Sequence, residues 1–218
     1  MEPQPMNSPP RVFGADYSVY VRIVRLALEE KGVGYELAPV DIFAPGGPPE
    51  WYLKRHPFGR IPAFEHGDFH LFETGAITRY VDESFDGPAL QPSDPRTRAT
   101  MNQIIGLLDA YAYRALVWEV YVERVSKPKR GEASDEQRIS AGLQIAATCL
   151  ATLTDLKADG RWLLGEQLSL ADLHAAPMFA YFLMAAEARA LIGNYPAIAA
   201  WWDEVRGLSS FAATEFGE

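Results

Sequence analysis

A chain of 218 residues, 48% apolar, 12% aromatic and 22% charged, carries enough apolar surface to bury a core, which excludes a disordered chain and leaves room for one or two domains. Its formal net charge of −9, with the acidic residues dispersed, offers no basic surface for nucleic acid or an anionic membrane. The single cysteine, Cys149, excludes an intrachain disulfide, a CxxC redox centre and a multi-thiolate metal site, and fits a reducing cytoplasm.

Residues 1–10 hold four prolines and no apolar h-region, so they read as a disordered tail and not as a secretory signal. No later run is expected to reach the ~18 apolar residues of a membrane-crossing helix. From residue 11 to 87 short strand and helix patterns alternate. RVFG, closed by Gly14, is a strand. Tyr20, Ile23, Val24, Ala27 and Leu28 then recur at helical spacing until Gly32 stops the helix. YELAPV reads as a second strand, and residues 50–54 as a short helix. In RIPAFEHGDFHLF two apolar runs flank His66-Gly67-Asp68, a hairpin signal. Thr74 is placed to cap the next helix, which carries Ile77, Tyr80, Val81 and Phe85. The order predicted is βαβαββα.

GPALQPSDP breaks the pattern, so residues 88–95 read as a linker and residues 96–218 as an all-α domain. Met101, Ile104, Ile105, Leu108, Ala112 and Ala115 predict one long helix, and Ile139, Leu143, Ala146, Leu150 and Leu153 the seam of another. Ser134-x-x-Gln137 and Ser169-x-x-Asp172 both have capping-box spacing.

Several motifs fail on spacing. Gly32-Val33-Gly34 lacks a third glycine and ends a helix where a dinucleotide loop begins one, and Tyr17-Ser18-Val19 lacks the glycines of a nucleophile elbow. His66 and His70 have i, i+4 spacing, which converges on a metal only in a helix, and here they flank a hairpin turn, so no metal is expected. Trp201, Trp202, Phe211 and Phe216 read as core or terminal packing, with the lining of a ligand site as the alternative, and Cys149 as a buried, inert thiol on an apolar seam.

Three segments, DYSVYVRIVRLALEEKGV, HPFGRIPAFEHGDFHLFETGAITRYVDE and GRWLLGEQLSLADLHAAPMFAYF, resemble the glutathione transferase family in order and spacing over nearly the whole chain. The serine and the PFG-x-[IV]-P-A-F block are most similar to serine-type, phi-like and related bacterial members. The resemblance implies a thioredoxin-like glutathione-binding domain followed by a helical domain, with the electrophile's site between the halves. It implies that Ser18 donates its hydroxyl to the glutathione sulfur, with Tyr17 as the competing hydroxyl. It further implies that a cis Pro62 turns the main chain of Ile61 toward the cysteinyl backbone of glutathione, and that Glu73 and Thr74 hold the γ-glutamyl end.

Independently of that likeness, Ser18 stands where the first helix begins, at the positive end of its dipole. Lowering a thiol pKa by two units needs roughly 2.7 kcal/mol. A hydrogen bond to a charged group contributes about 1.5–3 kcal/mol and a helix terminus roughly 0.3–2, so one hydroxyl and one helix end suffice. Simple capping is the bland alternative for Ser18.

The sequence also departs from the family. Gly46 and Gly47 stand where phi-like members carry a basic pair for the glycyl carboxylate, and Arg60 replaces a commoner glutamine. Arg55 or Arg60 takes that carboxylate, or both are surface charges. Tyr111, Tyr113, Arg114 and Trp118 are the candidates to face a hydrophobic electrophile. Ser169 and Asp172 match the family's structural capping box. The expected function is conjugation of glutathione to hydrophobic electrophiles, with peroxide reduction beside it, in a detoxifying, cytoplasmic homodimer that uses glutathione as co-substrate and keeps no permanent cofactor. The alternatives are a non-catalytic ligand- or protein-binding module of the same fold, and a glutathione-dependent isomerase or dehalogenase.

Overall fold

The computed structural model describes residues 8–215. They fall in two compact units, residues 8–89 with 209–215, and residues 90–208. In the first unit β1 (Arg11–Gly14), α1 (Val19–Glu30), β2 (Glu36–Pro39), α2 (Glu50–Leu53), β3 (Ala63–His66), β4 (Phe69–Phe72) and α3 (Thr74–Ser84) follow the predicted order. The sheet runs β2-β1-β3-β4, with β1 and β2 parallel and the other pairs antiparallel. A parallel pair needs a crossover, and α1 supplies it. Val12 and Phe13 of β1, Val24 and Leu28 of α1, and Ile77 and Val81 of α3 are buried in the unit's core.

Gly14 closes β1 and sets the spacing of the unit. A Cβ there would stand 2.3 Å from Cγ2 of Val21 in α1 and 3.3 Å from Cβ of Ile61. Only a residue without a side chain lets the first turn of α1 and the segment before β3 meet over the strand end. At the other end of α1, Gly32 takes φ +66, the left-handed conformation that stops a helix.

The structure corrects several expectations. Residues 1–7 of the expected tail lie outside the described residues, but Pro10 is buried and its carbonyl accepts the Glu36 N–H at 2.9 Å, extending the β1–β2 pairing. Thr74 is the first helical residue of α3, not its cap, and Glu73 holds the cap position. Residues 209–215, expected in the helical domain, belong with the first unit, because Arg22 and Arg25 of α1 bind Phe211 and Thr214. Leu90, expected in the linker, is a buried part of the second unit, and its carbonyl accepts the Leu170 N–H at 2.9 Å.

In the second unit α4 (Pro95–Leu107) is capped by Asp94, which accepts from the Thr97 N–H at 2.8 Å. The predicted long helix does not continue as α. It widens into π turns over Leu108–Ala112 and Arg114–Ser126, and α5 (Lys127–Lys129) follows. Backbone bonds in a π turn reach five residues along, and the side chains of Arg114 and Glu119, five apart, meet at 3.0 Å. α6 (Glu136–Leu156) is capped by Asp135, which accepts from the Gln137 and Arg138 N–H groups at 3.0 Å, whereas the predicted cap Ser134 donates to the Glu123 carbonyl.

Contrary to expectation, α6 is long and apolar enough to cross a membrane, with 21 residues and a mean hydropathy of 1.3 over its best window. Ile139, Ala146, Leu150 and Leu153 nonetheless bury one face inside the unit, while Thr148 and Thr152 sit on the exposed side with their hydroxyls bonded to carbonyls one turn back. α7 (Leu170–Phe182) is the buried centre, with α8 (Ala186–Ile192) and α9 (Pro196–Arg206) after it and α10 (Ser209–Ala213) returning to the first unit.

The Ser169–Asp172 capping box is present, and Asp172 does more than cap. Fully buried, it accepts from the N–H and hydroxyl of Ser169, the Leu163 N–H and the indole N–H of Trp201, all at 2.7–2.8 Å. Replacing it by alanine leaves buried donors without partners, so Asp172→Ala is expected to cost about 3 kcal/mol or more in urea unfolding, well above the ~1 kcal/mol of an exposed cap. In the first unit, Gly14→Ala is expected to cost about 1–3 kcal/mol, because the new methyl and Val21 cannot both keep their places. Thermal unfolding at native midpoint in that variant would contradict the packing described.

Candidate functional site

Ser18 is the N-cap of α1, with φ −76° and ψ 126°, and its hydroxyl oxygen accepts the Val21 N–H over a long 3.4 Å. One weak bond leaves the hydroxyl proton available to a ligand. No acidic residue lies in the first turn of α1, so the positive end of the helix is not neutralised from within. Tyr17, next to it, is 41% exposed and its ring stacks on Phe43. Burial, with Asp41 and Asp16 adding to it, pushes the Tyr17 phenol above its ordinary pKa and makes it the poorer donor to an anion.

The Ile61–Pro62 peptide bond is cis. Tyr52 of α2, fully buried, donates its hydroxyl to the Arg60 carbonyl at 2.6 Å and accepts the Ala63 N–H, tying the chain on both sides of that bond. Burial drives the Tyr52 pKa far up, so the phenol stays neutral as this double role requires. Between the two ties, the N–H and C=O of Ile61 pair with no other backbone group among the described residues, although Ile61 is only 8% exposed. Such groups are waiting acceptors and donors for an extended ligand.

Glu73 is, among the described residues, the one non-glycine in the left-handed region, with φ 72° and ψ 112°. That conformation is strained for a side chain of this size and is commonly kept at ligand sites. Its carbonyl accepts from Ala76 and Ile77, its carboxylate makes no cap bond, and the N–H groups of Thr74 and Gly75 at the start of α3 have no acceptor among the described residues. Thr74 is buried.

Arg55 and Arg60 separate. The Arg55 guanidinium pairs with Glu65 at 2.6 Å and lies over the rings of Phe13 and Trp51, so it is committed to the sheet. Arg60 is exposed, and its guanidinium has no hydrogen bond or ion pair among the described residues. Gly46 and Gly47, at φ +94 and +80, leave open space beside them.

Sequence reasoning gave no role to His56 or Tyr52 and read Gly14 only as the end of a strand. His56 is 3% exposed and packed against Phe72 with ring centroids 4.9 Å apart, and its Nδ1 meets no other residue's hydrogen-bonding group among the described residues. Burial pushes its pKa down, Glu73 opposes this and Arg60 adds to it, so a neutral imidazole lies within electrostatic reach of both. The sequence signal for His56 was its place in HPFG, whereas Tyr52 acts through Arg60 and Gly14 through Val21 and Ile61, contacts that no local periodicity announces.

The remaining candidates stand in the second unit or in no site. Tyr111 is 64% exposed, Trp118 39%, and Arg114 is ion-paired to Glu119, all three on the π-helical turns, while Tyr113, between the two π stretches, is half-buried. Trp201 is core and Trp202 half-buried beside it, Phe211 lies under Arg22, and Phe216 falls outside the described residues. Cys149 is buried, and burial raises its pKa. Among the described residues no cluster of side chains could hold a metal: His66 bonds the Tyr80 hydroxyl while His70 faces Glu65.

The geometry is therefore an anion-accepting helix end, an unpaired main-chain edge and a second helix start within one small unit. Comparison with known proteins agrees with it. Residues 12–89 match a family model described as the glutathione S-transferase N-terminal domain, and residues 136–204 one described as its C-terminal domain. A glutathione S-transferase of Hyoscyamus muticus is 30% identical over 89% of this chain and 92% of its own length. The structure of glutathione S-transferase III in its apo form superposes with a TM-score of 0.83 at 27% identity, covering 95% of each chain. A glutathione S-transferase I from maize in complex with an atrazine glutathione conjugate gives 0.81 at 26%, covering 95% of this chain and 96% of that one. With both family domains matched in order and the same fold over almost its whole length, the chain belongs to the glutathione S-transferase family.

Proposed function

We propose that the protein is a glutathione transferase that ionises the thiol of glutathione at Ser18 and adds it to hydrophobic electrophiles. The observation that carries this reading is the weakly engaged Ser18 hydroxyl at the unneutralised amino end of α1. The Ile61 N–H and C=O pair with the cysteinyl main chain, the start of α3 with Thr74 takes the γ-glutamyl carboxylate, and Glu73 takes the amino group. Arg60, with no hydrogen bond or ion pair among the described residues, takes the glycyl carboxylate in preference to Arg55.

The chemistry is nucleophilic. The thiolate forms a carbon–sulfur bond, and with an aryl chloride the chloride leaves with the bonding electrons. The thiolate is the reacting form, so rate rises with pH through the bound thiol's pKa, and each unit by which Ser18 lowers that pKa raises the ionised fraction about tenfold below it. Tyr111, Tyr113, Arg114 and Trp118 are assigned to the electrophile, whose hydrophobic class suits the rings of Tyr111, Tyr113 and Trp118. Peroxide reduction would use the same thiolate. We place the protein in the cytoplasm, in a detoxifying role, as a homodimer.

Ser18→Ala is expected to lower turnover of an aromatic chloride at least about tenfold, a loss of about 1.4 kcal/mol, while keeping retention on immobilised glutathione, whereas Tyr17→Phe changes turnover less than about twofold. Turnover unchanged in Ser18→Ala and lost in Tyr17→Phe would transfer the role. A wild-type protein that neither turns over the chloride nor binds the resin would instead be a binding module of this fold. Sedimentation at micromolar concentration is expected to give twice the mass of one chain, and a single-chain mass would refute the dimer.

A further inference from the structure

We propose that Arg22 is a positioning residue for Ser18, held in place by the chain's own C-terminal segment; the role rests on the transferase reading above. Arg22 lies four residues after Ser18, on the same face of α1 one turn on, and its N–H donates to the Ser18 carbonyl at 2.9 Å. Its side chain is one of the most deeply buried charges of the protein, 3% exposed. The guanidinium donates from Nη2 to the Phe211 carbonyl at 2.8 Å and from Nε to the Thr214 hydroxyl at 3.3 Å, and sits 4.1 Å from the centre of the Phe211 ring.

The same segment continues along the helix. Arg25 donates to the Thr214 carbonyl at 3.2 Å, and Glu30 accepts from the Ser210 hydroxyl. Thr214 in turn donates to the Ser210 carbonyl at 2.9 Å, closing α10 on itself. Side chains at positions 22, 25 and 30 therefore strap residues 210–214 along α1.

A core position that needed only packing would hold an apolar side chain, since burying a guanidinium costs several kcal/mol unless its N–H groups are satisfied. A planar fork held at two points and stacked on a ring fixes direction as well as depth. The first turn of α1 needs such a restraint. Its cap bond is 3.4 Å long, helix ends open locally more readily than middles, and a displacement of about 1 Å at a reacting group costs on the order of a hundredfold in rate. The clasp on Arg22 supplies one from the side of the helix.

The test uses Thr214→Val, which removes one acceptor far along the chain from Ser18, Arg22→Lys, which keeps the charge and loses the fork, and Thr214→Ser, which restores the acceptor. The readouts are the ultraviolet absorbance of bound glutathione thiolate against pH, kcat and KM, and amide hydrogen exchange in the first turn of α1. Thr214→Val and Arg22→Lys are expected to raise the bound thiol's pKa by about half a unit to one unit and lower kcat about three- to tenfold. KM for glutathione should stay within about twofold, because Ile61, Glu73 and Thr74 are untouched. First-turn exchange should quicken, and Thr214→Ser should return each quantity toward wild type.

Thiol titrations like wild type in Thr214→Val and Arg22→Lys overturn the proposal, whatever happens to thermal stability, because a merely structural clasp would move only the latter. Absence of any thiolate band in wild type would sink the transferase reading and the role of Arg22 within it. First-turn exchange in the ligand-free variants, unchanged from wild type, would refute the clasp independently of that reading.

Discussion

The missing side chain at Gly14 is the constraint on which the first unit depends. Val21 of α1 and Ile61 before the cis proline both press on the space where a Cβ would be, one of them at 2.3 Å. Two pieces of chain forty residues apart thereby share one strand end. The helix that carries Ser18 cannot settle elsewhere without leaving a void, and the segment that carries Ile61 cannot drop toward the sheet. Interiors packed like crystals transmit such contacts instead of absorbing them. Placement of the hydroxyl and of the main-chain edge is then one property.

What the site offers a ligand is the set of polar groups the fold leaves unpaired. Most backbone N–H and C=O groups that are buried find partners within the chain. Here the Tyr52 hydroxyl takes the Arg60 carbonyl and the Ala63 N–H, which satisfies the flanks and leaves Ile61 between them. At α3 the strained Glu73 backbone opens the helix, and the Thr74 and Gly75 N–H groups have no acceptor among the described residues. His56, neutral through burial, packs on Phe72, beside Glu73 in the chain, without adding a charge that would compete for its carboxylate.

The strand and helix order of the first unit was legible because apolar residues there change period cleanly and glycines stand at the breaks, as at Gly14, Gly32 and Gly67. Ser18 was legible as a cap, and only likeness to a known family distinguished it from any other cap. The rest depended on contacts that no local pattern carries. Nothing near Arg55 in sequence announces Glu65 as its partner, so its two arginine candidates could be separated only by structure. The π turns after Leu107 keep the apolar spacing of an α-helix closely enough to read as one. Residues 209–215 read as the end of a helical domain because their partners, Arg22 and Arg25, lie some 190 residues earlier.

Charge placement at helix starts sets α1 and α3 apart from α4, α6 and α7. Helices that serve only stability benefit from a carboxylate at or near the first turn, and the second unit uses them: Asp94 caps α4, Asp135 with Glu136 opens α6, and Asp172 lies in the first turn of α7. α1 and α3 have no acidic residue in the first turn, and the one carboxylate at their caps, that of Glu73, makes no cap bond. Both helices therefore forgo a stabilising term of about 0.3–1 kcal/mol each. A chain with 29 acidic residues against 20 basic ones did not lack the material. Keeping those two ends electropositive in an otherwise acidic protein makes sense if the missing negative charge arrives with the ligand, as a thiolate at one helix and a carboxylate at the other.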